Sequence, residues 1–305
     1  MCIMIIVNQM IQLFIMIIIG YGMGKTSLFH SNFNQKLTQF VLNLVMPCMI
    51  VASVMSSNTT SLALFDILKA TFILIILLPI VSNLCIRFLP ISHKGLYMFM
   101  MMFPNVGFMG FPLMKAIFGN ESLLSTAVIN MGFNLSLFTL GAWVMNYDQK
   151  ENTKFYIKNL LSPGVIASLA ALLIYAMNIS FPQVVSNPIS LIGDMTTPLA
   201  MLIIGATLSQ YKMKDVFMDF KVYLFVLIID FVIPILFYPL IHMIINDAMI
   251  QGITLIILAM PVANGAVLFA KNYNQNEFLA AKTVFISTLM SIITIPILVY
   301  LFLYK

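Results

Sequence analysis

Two asparagines and one aspartate stand out in a chain that otherwise carries few groups able to do chemistry. Asn105 directly follows Pro104 in the stretch Phe103-Pro104-Asn105-Val106-Gly107-Phe108-Met109-Gly110-Phe111-Pro112. Asn264 stands three residues after Pro261 in Met260-Pro261-Val262-Ala263-Asn264-Gly265. An amide offers two donors and an acceptor, so it can replace part of a solute's hydration shell without fixing a charge in an apolar setting. The blander role for each asparagine is to tie up backbone groups freed by its proline. Asp230 is the acid that falls well inside an apolar run, Leu227 to Pro234. A carboxyl in such a place is costly and is a functional candidate by default. It could carry a coupling proton, or it could hydrogen-bond as a neutral acid near the gap that Pro234 leaves.

The elements around these residues must be broken helices. Proline lacks an N–H and clashes with the preceding turn, and glycine weakens what remains. Within hydrocarbon, irregular backbone is tolerated where it is buried in protein or lines a wet cavity. The stretches around Pro104 and Pro261 are therefore expected to be discontinuous membrane helices, with freed N–H and C=O groups available to a solute. Paired breaks of this kind point to a transporter's binding site. Pro104, Asn105, Val106, Gly107, Pro261, Asn264 and Gly265 form the candidate substrate site, and Asp230 the candidate for proton coupling. Half-helix N-termini aimed at the membrane midplane suit a carboxylate.

Composition agrees with a membrane setting. Of the 305 residues 61% are hydrophobic and 8% charged, against about 25% charged in an ordinary soluble domain. The net charge of +5 is scattered over short loops and is no nucleic-acid footprint. On a requirement of roughly 20 apolar residues per span, ten spans are expected: 2–23, 34–54, 66–89, 95–118, 123–146, 160–179, 188–209, 220–245, 249–270 and 278–304. The first span starts without a basic flank or cleavage site, which argues against a signal peptide. With the N-terminus outside, 12 of the 15 basic residues fall in cytoplasmic loops, and only Lys69, Lys115 and Lys305 lie on the other side. The positive-inside rule then places both termini outside.

The two halves read as repeats. Pro47, Pro79, Pro104, Lys115 and Glu121 correspond to Pro198, Pro234, Pro261, Lys271 and Glu277, at offsets between 151 and 157 residues. Five spans per half is an odd number, so the second half enters from the opposite side. The expected organisation is a five-helix repeat over 1–147, a cytoplasmic linker over 148–159 and an inverted repeat over 160–305.

Other residues carry less. Lys115 and Lys271 could steer an anion into each vestibule or simply snorkel to the interface. Asn130 and Asn134, and Ser287, Ser291 and Thr294, are spaced along single helix faces. They suit helix contacts or a pathway lining. Gly20 to Thr26 is one residue short of a phosphate-loop spacing and is read as the end of the first span. His30, His93 and His242 form no cluster, and no hydrolase or metalloprotease motif is present. The reading is not an enzyme and implies no cofactor and no metal. Cys2, Cys48 and Cys85 suggest neither a disulfide framework nor a zinc site.

The chain resembles the auxin efflux carrier family, in its bacterial branch. The resemblance rests on Phe103 to Pro112 with Phe118-Gly119, on Ser162-Pro163, and on Thr197-Pro198-Leu199-Ala200 followed by Ile204-Gly205-Ala206-Thr207-Leu208. Met260-Pro261 with Phe269-Ala270, and Ser287-Thr288-Leu289 through Ile295-Pro296, complete it. It implies an all-α membrane protein of ten helices in which spans 4 and 9 cross. A carboxylate would bind beside Pro104, Asn105, Pro261 and Asn264. A transport domain would move as an elevator against spans 1, 2, 6 and 7, within a homodimer in the cytoplasmic membrane. Bacterial members are described as permeases for malate, malonate or related acids. The short central loop departs from plant auxin exporters, which often carry a long one. A second departure is the different spacing of the two asparagines from their prolines. A sodium-coupled symporter of the bile-acid type, or a membrane channel or sensor, stands as the alternative.

Overall fold

The structure is a computed structural model and describes residues 2–26, 29, 31–55, 61–88, 92–147, 163–177, 179 and 181–303. The expected linker at 148–159 and its lysines lie outside the described residues, as does the side chain of Lys271. Described residues are helical apart from turns and one short backbone pairing. The first half holds α1 (Cys2–Gly24), α2 (Ser31–Phe40), α3 (Met46–Met55), α4 (Ser61–Phe88), α5 (Lys94–Met102), α6 (Phe111–Phe118), α7 (Ser122–Ser136) and α8 (Ala142–Met145). The second holds α9 (Pro163–Ala176), α10 (Gln183–Asp194), α11 (Thr196–Leu208), α12 (Met213–Phe217) and α13 (Phe220–Leu227). After these come α14 (Ile233–Ile244), α15 (Ala248–Leu258), α16 (Gly265–Asn272) and α17 (Glu277–Leu303).

Among the described residues six continuous helical stretches are long and apolar enough to cross a membrane: Asn32–Ala52, Leu64–Arg87, Ser122–Met145, Gln183–Leu208, Phe220–Ile244 and Glu277–Leu303. Spans expected at 95–118 and 249–270 are each split, into α5 with α6 and α15 with α16. Neither half is long enough to cross alone.

Proline shapes these helices locally. It removes an N–H and its ring crowds the turn before it, and wide turns occur inside α-helices as single-turn bulges. Wide turns stand just before three prolines. They occupy Val41–Val45 before Pro47, Val106–Gly110 before Pro112, and Ile228–Val232 before Pro234. In each, an N–H reaches five residues back: Met46 to Val41, Gly110 to Asn105, and Ile233 to Ile228.

One packed group joins α1 to α11 and α3 to both α9 and α10. The α1–α11 crossing is backbone to backbone. A Cβ added at Gly20 would lie 2.7 Å from Leu202 Cα, and one at Gly24 would lie 2.8 Å from Ala206 Cα. Gly205 faces the Ile17 carbonyl and the Tyr21 N–H in the same way. Small residues four apart permit such approach in membrane helices. The stretch with near phosphate-loop spacing is thus a packing motif. Gly193 of α10 meets Met49 of α3 similarly, with 2.7 Å to Cα.

A second group joins α4 to α5, α7 and α15, and α17 to α13 and α16. Asp66 of α4 ties the α14–α15 turn. It accepts the N–H groups of Asn246 and Asp247 at 3.1 and 3.0 Å and pairs with Lys69 at 2.9 Å.

At the other end Lys282 of α17 pairs with Asp219, which also accepts the Lys221 N–H at the start of α13. The Lys282 ammonium beside Asp219 holds its carboxyl below the usual carboxylate range. A depressed folded value means the pair contributes fully above the unfolded value of about 3.9 and fades as pH falls through the lower folded value. Asp219→Asn keeps the cap and removes the charge. The thermal midpoint of the wild type should therefore exceed that of the variant at neutral pH, and the gap should close on acidification below about pH 4. A gap that stays constant would contradict this role.

Candidate functional site

The two breaks meet. Phe103 precedes a proline, which disfavours helical backbone for it, and its φ of −121° and ψ of 87° end α5 there. Pro104 and Val262 form an antiparallel bridge. Asn105 N–H donates to the Pro261 carbonyl at 2.7 Å, and Ala263 N–H donates to the Phe103 carbonyl at 3.0 Å. Val106 N–H turns back to the Pro104 carbonyl at 2.8 Å, and Val262 N–H donates to Ser287 Oγ at 2.8 Å. Four freed N–H groups are thereby used inside the protein. The expectation that the freed groups would be available to a solute is corrected for these four: two bond across to the other break, one turns back within its own break and one is taken by Ser287 of α17.

The crossing leaves two clefts at opposite ends of the bundle. One, of about 420 Å³, opens where α11 finishes and α9 and α17 begin. It reaches the crossing at Asn264 and Gly265 and is lined by Asn34, Asn43, Asn134, Thr207, Gln210 and Glu277, with Phe269 as an aromatic wall. The other, of about 510 Å³, opens where α6 finishes and α7 begins, lined by Pro112, Lys115, Asn120 and Asp194.

The predicted site residues divide between these surroundings. Asn264 and Gly265 line the first cleft, and a Cβ at Gly265 would meet nothing within 4 Å. Gly265 is also the first residue of α16, so the positive end of that half-helix opens on the cleft. Pro104, Asn105, Val106 and Pro261 form the crossing behind it, and Asn105 is buried. Gly107 packs on Met46, 3.0 Å from its Cε for an added Cβ. Gly107 is thus a packing position. The two asparagines are not equivalent, and their different spacing from proline is the sequence sign of it. Asn105's carbonyl accepts the N–H groups of Met109 and Gly110, which starts the second half-helix.

Asn34 and Thr207 of the cleft escaped the sequence reading, which leaves Asn130 and Asn134 open between helix contacts and a pathway lining. Asn34 donates to Thr207 Oγ1 at 2.8 Å, and its own Oδ1 is buried without a partner. Asn134 brings an unpartnered Nδ2 to the same cleft. Asn130, one turn away, is buried beside Gly107 with its Nδ2 also unpartnered. The spacing of Asn130 and Asn134 was visible, but a shared face does not say what that face meets. Glu277 is the charged side chain among those described in the cleft lining. The cleft offers amides, hydroxyls and a helix N-terminus rather than a cation.

Asp230 lies at the back of the crossing, buried, and accepts the Ser287 hydroxyl at 2.9 Å. Lys115 is exposed and lines the second cleft.

Comparison with known proteins places this arrangement. The family described as "Membrane transport protein" matches residues 5–155 and 150–299. An uncharacterized transporter of Methanocaldococcus jannaschii is 22% identical over 96% of this chain and 98% of its own length. Another uncharacterized transporter, from Methanothermobacter thermautotrophicus, is 20% identical over 63% of each chain. With a crossing of two broken helices at its centre and a family match over nearly its whole length, the chain belongs to the membrane transport protein family, that of the auxin efflux carriers.

Proposed function

We propose that the protein is a secondary transporter of small organic anions, such as malate, malonate or related carboxylates, working by alternating access around the crossing. The observation that carries the reading is the cleft that ends on Asn264 and Gly265. Its amide donors and the N-terminus of α16 suit a carboxylate. The second cleft, running along α6 from the opposite end, supports access from both sides.

Finer features of the reading follow the same lines. The chain has ten spans, counting each split pair as one, in two inverted repeats over 1–147 and 160–305 joined by a linker. In support, the family match changes segment at 150–155, and wide turns precede prolines in both halves. Spans 1, 2, 6 and 7 form a scaffold against which the rest moves as an elevator, and the grouping of α1, α3, α9, α10 and α11 supports that division. The protein sits in the cytoplasmic membrane as a homodimer with both termini outside, as the distribution of lysines suggests.

Purified protein in liposomes loaded with malate, malonate or succinate should exchange the labelled acid saturably. Unsaturable currents would replace the carrier by a channel, and strict sodium dependence would move the reading to a sodium symporter.

A further inference from the structure

Asp230 is joined to the crossing by a chain of hydrogen bonds. It sits in the wide turn Ile228–Val232, 1% exposed. Its Oδ2 accepts the Ser287 hydroxyl at 2.9 Å, and the same Ser287 oxygen accepts the Val262 N–H at 2.8 Å. Val262 is the residue paired with Pro104. Three elements thus share one path, and two hydrogen-bond lengths put the carboxylate within about 6 Å of the second break's backbone.

Among the described residues no counter-charge sits beside it. The elements packed on this turn are α13, α14 and α17. Their titratable groups are Lys221, Tyr223, Tyr238, His242, Glu277, Lys282 and Tyr300. Lys282 pairs with Asp219, Tyr238 donates to the Phe302 carbonyl, and His242 meets Gln251. Lys221 stands about 13 Å from Asp230 along its helix, Tyr223 about 10 Å, and Glu277 and Tyr300 about 15 and 20 Å from Ser287. Among the described residues no ion pair reaches Asp230. An ionised carboxylate there would face the break with the Ser287 hydroxyl but, among the described residues, no cation to offset it.

We propose that Asp230 is a proton-binding site coupled to anion occupancy of the crossing, with Ser287 as the link. The inference rests on the organic-anion reading. Ionised, Asp230 holds the Ser287 hydroxyl hydrogen and sets a negative charge behind the break, which repels an anion in the cleft. On loading, one proton from water adds to Oδ2 and forms its O–H bond. The Ser287 hydrogen then turns to the Thr283 carbonyl one turn earlier, a common serine partner. Its oxygen now accepts from both Asp230 and Val262, as its two lone pairs allow. On release the proton returns to water, so one proton travels with each anion. Linkage makes the effect reciprocal: the anion raises the proton affinity of Asp230 by the factor that protonation raises anion affinity. Two unit charges about 10 Å apart at an effective dielectric of about 20 interact by about 1.7 kcal/mol, which sets that factor on the order of tenfold.

The test combines two readouts on the full chain in liposomes. Infrared difference spectra titrated between about pH 5 and pH 9 should show a protonated-carboxyl band that titrates, is missing from Asp230→Asn and is displaced in Ser287→Ala. Malonate exchange by the wild type should weaken about tenfold as that band is lost, with proton movement alongside. Asp230→Asn should exchange malonate without pH dependence and without moving protons. A wild type that exchanges malonate but shows no titrating Asp230 band overturns the proposal, as does an unchanged pH dependence in Asp230→Asn. Absence of exchange for malonate, malate and succinate alike in the wild type overturns the anion reading instead. Should Asp230→Asn fail to fold, the band displacement in Ser287→Ala decides the link alone.

Discussion

Gly205→Leu is expected to cost the protein most of its folded yield and to lower the thermal midpoint of what remains by many degrees. The Cβ alone would press on the Ile17 carbonyl and lie 2.8 Å from the Gly20 carbonyl carbon. These are backbone atoms of a packed helix, and they cannot swing aside as a side chain end can. Overpacking a tight interface typically costs about 1–3 kcal/mol, and a clash with backbone belongs at or above the top of that range. The contact joins α1 to α11 along a shared glycine face, so its loss separates helices assigned to the scaffold. Gly22→Ala is the control, because an added Cβ there meets nothing within 4 Å. It should be neutral or slightly stabilising, since alanine is the better helix former by about 1 kcal/mol. Equal midpoints for Gly205→Leu and Gly22→Ala would contradict the close crossing.

Asn264→Ala is expected to weaken solute binding by about ten- to a hundredfold, which corresponds to one buried hydrogen-bonding group lost from a site. The same change should leave the thermal midpoint of the empty protein close to the wild type, because Asn264 is only partly buried and lines the cleft. Asn105→Ala should behave differently. Asn105 is buried within the crossing, so its replacement should lower stability as well as exchange. A separation of these two phenotypes is the signature of the inequivalence described above. Identical phenotypes, both confined to binding, would return the two asparagines to a shared site.

The breaks were legible in the sequence because proline and glycine act locally, and their spacing alone ends a helix. Asp230 was legible for a similar reason, since an acid in an apolar run stands out without knowledge of its neighbours. The crossing itself was only an expectation. Nothing local says that the Asn105 N–H finds the Pro261 carbonyl more than 150 residues away. Nor did the sequence show that Ser287 would serve both Val262 and Asp230, since a serine on a helix face reads the same whether it binds a neighbour or a solute. The cleft wall was the least legible part. Asn34 and Thr207 meet across two halves of the chain, and each looks ordinary in its own segment. The wide turns were also unseen: three stand just before a proline, but a fourth, Leu137–Gly141, has none close after it, so no single residue pattern announces them.

Counterflow of labelled malonate into liposomes holding unlabelled malonate tests the central claim most directly. A carrier that alternates around the crossing should show transient accumulation that depends on the internal acid, saturates with the external one and falls in Asn264→Ala. Uptake that ignores the internal acid and never saturates, from protein shown to be folded, would contradict it.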